Sequence, residues 1–276
     1  MSDFKHPIPF HHFGGNGSII HFAHANGYPP QAYQQFIQPF LKTHKVIASK
    51  FRPLWGDQQP ESLKSWDELA DDLIRFLDEQ GLKNSIGIGH SLGGVTSIIA
   101  AIKRPDLFSK LILLDPVIFD NYLIRLSGLF PVSIRKKIIP IAKISAKRRD
   151  SWDSKEEVYQ QWRSKKVFQK ISDGVLKEFI EHAIVSDGNG KVTLAYSKEW
   201  ETQVYSTAPF IFKQLLKLKT PMIVVKGANS DVITTQVWND WQQGQPHNHF
   251  INFPDAGHLV PLEYPEELAK EILKIM

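Results

Sequence analysis

Gly89-His90-Ser91-Leu92-Gly93 sets a serine between two glycines, directly after the strand-like run SIGI and directly before the helix-like run VTSIIAAIKR. A serine hydroxyl is a weak nucleophile. It becomes useful where a sharp strand-to-helix turn exposes it beside a base and near backbone N–H donors, and flanking glycines permit such a turn. The plain alternative is a glycine turn with a capping serine, and the strand before and helix after are what favour acyl chemistry over it. The chain has no cysteine, which removes thiol nucleophiles, disulfides and thiolate metal sites together. Its 11 histidines include the adjacent His11 and His12 and the nearby His21 and His24. Neither spacing aims two strand side chains at one ion, and no His-Glu-x-x-His run occurs, so no metal and no cofactor is expected.

The elements that must position Ser91 are legible as short apolar runs that end in Gly, Asp or His: SIIHFAHANG, KVIASKFRP, SIGIGHS, KLILLDP, MIVVKG and HFINFPDAGH. Each reads as a buried strand that stops in a polar loop. Helical patterns alternate with them. Over 65–80, Leu69, Leu73, Phe76 and Leu77 fall on one face, Ser65 with Glu68 forms a capping-box signal, and Gly81 closes the end. This alternation predicts an α/β fold with a mostly parallel, doubly wound sheet covered on both faces, whose ligands bind beyond the carboxyl ends of the strands. From 117 to 208 the rhythm changes to helical pieces broken by Pro131, Pro140 and the turn-like DGNG at 187–190. The expected organisation is a core of 1–116 and 209–276 with a helical cap inserted at 117–208.

Four landmarks in register resemble the α/β-hydrolase superfamily over nearly the whole chain. They are His24-Ala25-Asn26-Gly27-Tyr28-Pro29, the Ser91 pentapeptide, Gly227-Ala228-Asn229-Ser230-Asp231 and Ala256-Gly257-His258. The resemblance implies a nucleophile, an acid and a histidine in that chain order. Ser91 is then the nucleophile and His258 the base, since it follows a glycine in a polar loop whereas His247 and His249 flank an apolar run. Asp231 occupies the usual acid position. Asp115, at the end of KLILL and before Pro116, stays open as the alternative acid, while Asp255 lies too close to His258 along the chain. The resemblance also implies an oxyanion hole of backbone N–H groups, one from Leu92 and a second from the His24 loop, where Asn26 is the first choice and Ala25 the other.

Serine at position 91, where dehalogenases and epoxide hydrolases of this superfamily carry aspartate, implies acyl transfer. A carboxylic ester is the expected substrate, with thioesters, lactones and activated carbon–carbon bonds as alternatives on the same triad. A non-catalytic ligand-binding member of the fold is the reading from another class. The segment LAYSKEWETQVY at 194–205 resembles a bacterial esterase-like subgroup. The net charge of +4 comes from the 117–205 segment, with a basic run from Arg135 to Arg149 that suits an anionic small-molecule substrate. No nucleic-acid motif accompanies it. The N-terminal MSDFKHPIPF lacks the pattern of a secretory signal and no apolar stretch reaches membrane length, so a cytoplasmic enzyme without an integral membrane segment is expected, its oligomeric state open.

Overall fold

The computed structural model describes residues 6–118 and 128–276. Residues 1–5 and 119–127, and with them the beginning of the N-terminal stretch and the first part of the expected cap, lie outside the described residues. The chain opens with β1 (Phe10–Gly14), β2 (Ser18–Ala23), β3 (His44–Ser49), β4 (Ser85–His90) and β5 (Phe108–Leu114). An inserted stretch follows with three short strands, β6 (Ser151–Trp152), β7 (Ile184–Ser186) and β8 (Val192–Leu194). β9 (Met222–Gly227) and β10 (His249–Phe253) complete the core.

Seven of these strands form one sheet in the order β1-β3-β2-β4-β5-β9-β10, antiparallel at β1 and parallel elsewhere. The order turns at β2: the chain leaves it for β3 on one side and comes back to β4 on the other. Such a switch point opens a crevice at the carboxyl ends of the two central strands, here the ends that lead into His24 and Ser91. The strands are apolar on both faces because both faces are covered. On β5, Leu111 and Leu113 join one buried cluster while Ile112 and Leu114 join the other, and on β9 Val224 opposes Ile223 and Val225 in the same way.

The helix Trp66–Glu79 packs Leu69, Leu73, Phe76 and Leu77 into the first cluster, each worth roughly 1.5–3 kcal/mol on burial. Its end is a Schellman motif: Gly81, at φ 65°, donates to Asp78 O, and Leu82 donates to Leu77 O. Its start differs from the expected capping box. The Ser65 side chain makes no cap bond, the Glu68 N–H going to Ser65 O at 3.3 Å, and the Glu68 carboxylate reaches Arg52 at 2.7 Å and accepts the Lys64 N–H at 3.1 Å in place of the Ser65 N–H.

The inserted stretch also departs from a purely helical reading. It holds the helices Val132–Ile138, Pro140–Ala146, Lys155–Arg163, Asp173–Ala183 and Lys198–Ser206, together with a small antiparallel sheet in the order β6-β8-β7. Pro131 and Pro140 start helices, where a missing N–H costs nothing. DGNG closes the β7–β8 hairpin, with Asp187 Oδ1 accepting from Asn189 and Lys191 N–H at 2.8 and 3.0 Å. Strands of two and three residues are too short to show a period in sequence, which is why that sheet was not expected. No helix among the described residues is long and apolar enough to cross a membrane.

Candidate active site

β4 runs straight into Ser91, and the helix Leu92–Lys103 begins at the next residue. Ser91 sits at φ 54°, ψ −115°, a region that non-glycine residues rarely occupy. The turn is held by the Ser91 N–H donating to Leu114 O at 3.0 Å. It is also tightly packed. A Cβ on Gly89 would lie 2.5 Å from Gly93 O, and one on Gly93 would lie 2.0 Å from Ala23 O, so both glycines answer to a close approach of backbones.

His258 lies in the loop after β10, held by Gly257 N–H donating to Glu263 at 2.6 Å. Its Nδ1 is 2.6 Å from Asp115 Oδ2 and its Nε2 is 3.0 Å from Ser91 Oγ. A carboxylate can only accept, so Nδ1 carries the proton and Nε2 presents its lone pair to the serine hydroxyl. Asp115 is fully buried at the tip of β5, at φ 43°, and its carboxylate has two further donors: Ser230 Oγ–H at 2.5 Å and Gly227 N–H at 3.2 Å. Three donors fix both oxygens of the group.

Of the two candidate acids, the structure places Asp115 and not Asp231 against His258. Asp231 is exposed and makes no hydrogen bond to His258. Its neighbour Ser230 turns inward instead, so the loop after β9 supplies a hydroxyl to Asp115 rather than a carboxylate to His258. The physical reason lies in the sheet, where β5 stands directly between β4 and β9 and its tip faces the elbow.

The loop after β2 contributes the remaining groups. His24 accepts the Phe51 N–H on Nε2 at 3.2 Å and donates from Nδ1 to Ala25 O at 2.9 Å, and burial pushes its pKa down to about 4. Of the two proposed donors in this loop, the Ala25 N–H is directed to Tyr33 OH at 3.2 Å. That engagement removes Ala25 as a free donor. The Asn26 side chain is anchored by Nδ2 donating to Glu201 O at 3.2 Å. Among the described residues, the backbone N–H groups of Asn26 and Leu92 have no internal acceptor, Leu92 being the first residue of its helix.

His21 is a core residue, its Nε2 2.9 Å from Ser49 Oγ and its pKa lowered to about 3 by burial. No group of three or more His, Asp or Glu suited to a metal ion occurs among the described residues. Two further side chains at the site had no signal of their own in the sequence. His90 bonds both Tyr33 and the carbonyl of His258, and Ser230 bonds Asp115. Both stand beside residues that the motifs did mark.

Among the described residues, three of the seven basic residues from Arg135 to Arg149 are ion-paired. Arg148 pairs with Glu201 at 2.5 Å and Arg149 with Glu157 at 2.8 Å, while Lys136 reaches Glu61 at 3.4 Å. Lys137, Lys143 and Lys147 are exposed and have no ion pair among the described residues.

Comparison with known proteins agrees with this architecture. A Bacillus subtilis protein described as the uncharacterized hydrolase YugF is 25% identical over 248 residues, covering 87% of this chain and 83% of that protein. The crystal structure of E-2-(acetamidomethylene)succinate hydrolase superposes with a TM-score of 0.80 at 18% identity, covering 96% of this chain and 93% of the other. An M. tuberculosis esterase superposes with a TM-score of 0.74 at 20% identity, covering 98% and 88%. At such identities the two structures speak for the fold alone. The sequence model of the alpha/beta hydrolase family matches residues 22–271, nearly the full length, and the chain belongs to that family.

Proposed function

We propose that this protein is a serine hydrolase that cleaves a carboxylic ester through an acyl-enzyme. The observation that carries the reading is the unbroken line Ser91 Oγ, His258 Nε2, His258 Nδ1, Asp115 Oδ2, with contacts of 3.0 and 2.6 Å. His258 takes the Ser91 proton as Oγ attacks the ester carbonyl, and Asp115 stabilises the resulting imidazolium. The developing oxyanion is received by the Leu92 and Asn26 N–H groups, fixed dipoles that need no reorganisation. Return of the proton to the leaving alcohol leaves an acyl group on Ser91. Water, deprotonated by the same histidine, then releases the acid and restores the serine.

The stretch 117–208 acts in this reading as a cap over the crevice. Support comes from contacts between its described part and the oxyanion loop: Asn26 is anchored to Glu201, and Tyr28 stacks on Phe179 with centroids 4.6 Å apart. An ester with an anionic substituent suits the unpaired Lys137, Lys143 and Lys147 of that segment.

A fluorophosphonate probe tests the reading. It should leave one adduct, located by mass spectrometry on the peptide containing Ser91, and abolish turnover of p-nitrophenyl esters. A folded protein that labels elsewhere or not at all overturns it. Hydrolysis of a thioester panel with inert oxygen esters would move the substrate class while keeping the triad.

A further inference from the structure

Three hydrogen bonds run behind the elbow and have a single possible direction. The Ala25 N–H can only donate, so Tyr33 Oη accepts it at 3.2 Å. The Tyr33 hydroxyl proton is then left for His90 Nδ1, 2.8 Å away. With Nδ1 accepting, the ring carries its proton on Nε2 and donates it to His258 O at 2.9 Å, a carbonyl that can only accept. Amide at one end and carbonyl at the other set every proton between them.

We propose that Tyr33 and His90 form a positioning relay that holds the His24–Ala25 peptide, one unit before the Asn26 N–H, and the His258 backbone in fixed register on either side of Ser91. The proposal rests on the assignment of Ser91 and His258 given above. Its geometric basis is that His90, adjacent in sequence to Ser91, bonds the His258 loop directly and the Ala25 loop through Tyr33. Tyr33 and His90 are both fully buried and the His90 ring lies against that of His258 with centroids 5.1 Å apart, so no water competes for these bonds and the rings have little room to turn. At the Ala25 end, capture of the N–H by Tyr33 orients the peptide chain so that the next N–H, that of Asn26, is the one left for the oxyanion. At the His258 end, holding the carbonyl fixes the main chain from which the imidazole must span Asp115 and Ser91. Burial together with the neighbouring His258 depresses the His90 pKa well below the usual histidine value, in keeping with a ring that has no place for a second proton.

Neither residue touches the reacting atoms, so the expected signature is a loss in turnover and coupling between the two positions. Tyr33→Phe deletes one hydroxyl. His90→Leu deletes both ring bonds, and His90→Gln retains an N–H where Nε2 stood. Once fluorophosphonate labelling has identified Ser91, Tyr33→Phe and His90→Leu should each lower kcat for a p-nitrophenyl ester about 10- to 100-fold with KM within about threefold. His90→Gln should recover part of the His90→Leu loss. The double variant Tyr33→Phe/His90→Leu should be within about threefold of the poorer single variant, since breaking one link already frees the relay. In unmodified protein, nitrogen-15 NMR should show His90 as the neutral Nε2–H tautomer throughout the range from about pH 8 to about pH 5. Losses that multiply in the double variant, losses confined to KM or thermal stability, or an Nδ1–H or doubly protonated His90 would each overturn the relay. If the leucine variants do not fold, the tautomer in unmodified protein decides alone. A correct tautomer with no labelling of Ser91 would remove the hydrolase reading and leave the hydrogen-bond relay standing.

Discussion

Asp115 accepts the Nδ1 proton of His258 at 2.6 Å across a separation of 143 residues, and it does so from the last turn of backbone before the chain enters the inserted stretch. Replacing the carboxylate by an amide keeps the shape and reverses the hydrogen-bond preference. Asp115→Asn should therefore lower kcat by about four orders of magnitude through the wrong histidine tautomer, while Asp231→Asn should leave kcat within about threefold. Steady-state kinetics of the two variants settles the acid, and an equal loss in both would break the assignment.

Ser230 donates to the same carboxylate oxygen as His258. Ser230→Ala removes one of three donors to a buried charge and should cost roughly 1–3 kcal/mol in urea-unfolding free energy, with kcat reduced about tenfold or less. A kcat loss as large as that of Asp115→Asn would mean that Ser230 does more than orient the acid.

The elbow glycines give a packing test. Gly93→Ala places a Cβ 2.0 Å from Ala23 O, and the helix must move or the fold fail, so the destabilisation should reach or exceed the ~3 kcal/mol of a severely overpacked core. Gly174→Ala has only Gln35 Nε2 nearby, at 3.8 Å, and sits inside the helix Asp173–Ala183. It should be neutral or stabilising by up to about 1 kcal/mol. Urea midpoints for the pair measure the contrast.

Acid should weaken the fold through its buried histidines. His24 and His21, with pKa values lowered by burial to about 4 and about 3, stay neutral in the native state while the unfolded chain binds protons near the ordinary value of 6.5. Between those limits the unfolded state holds more protons, so stability is complete above about pH 6.5 and is lost as pH falls. From pH 7 to about 5 the loss should be on the order of 2 kcal/mol per histidine. Urea titrations across that window should show the decline, and His21→Gln should make it smaller. A constant midpoint would contradict neutral buried rings.

Steering by the inserted stretch is testable with salt. The kcat/KM for a carboxylate-bearing ester should fall as ionic strength passes about 0.1 M, where the Debye length is about 10 Å, while a neutral ester of equal acyl size changes little. Lys143→Gln/Lys147→Gln should flatten that dependence. These positions are preferable to Arg148, whose partner Glu201 also anchors Asn26. Identical salt responses for the two esters in the unmodified protein would reduce the lysines to solvated surface.

The sheet, the elbow and the two helices around Ser91 were legible because burial on both faces writes long apolar runs and because a strained turn demands glycines at fixed offsets. The carboxylate that meets His258 was harder to read. Asp115 and Asp231 each follow a strand that ends at the crevice, and sequence order satisfies both; only the lateral position of β5 beside β4 separates them. The relay through Tyr33 and His90 left no pattern at all, since a buried tyrosine and a buried histidine are equally well explained as core. The small sheet in the insertion escaped for want of length.

Pro116 follows the acid directly, and its Cβ would lie 2.9 Å from a Cβ on Gly94 of the elbow helix. The last core residue before the insertion is thus wedged against the helix that begins after Ser91. For anyone exchanging this insertion for another, the splice must fall beyond Pro116, because a junction placed at the end of β5 would carry off the acid and its brace along with the segment meant to alter selectivity. A graft that preserves Leu114, Asp115 and Pro116 keeps the contacts of Asp115 to His258, Ser230 and Gly227, and its remaining demand on the new segment is a replacement for the Glu201 carbonyl that anchors Asn26.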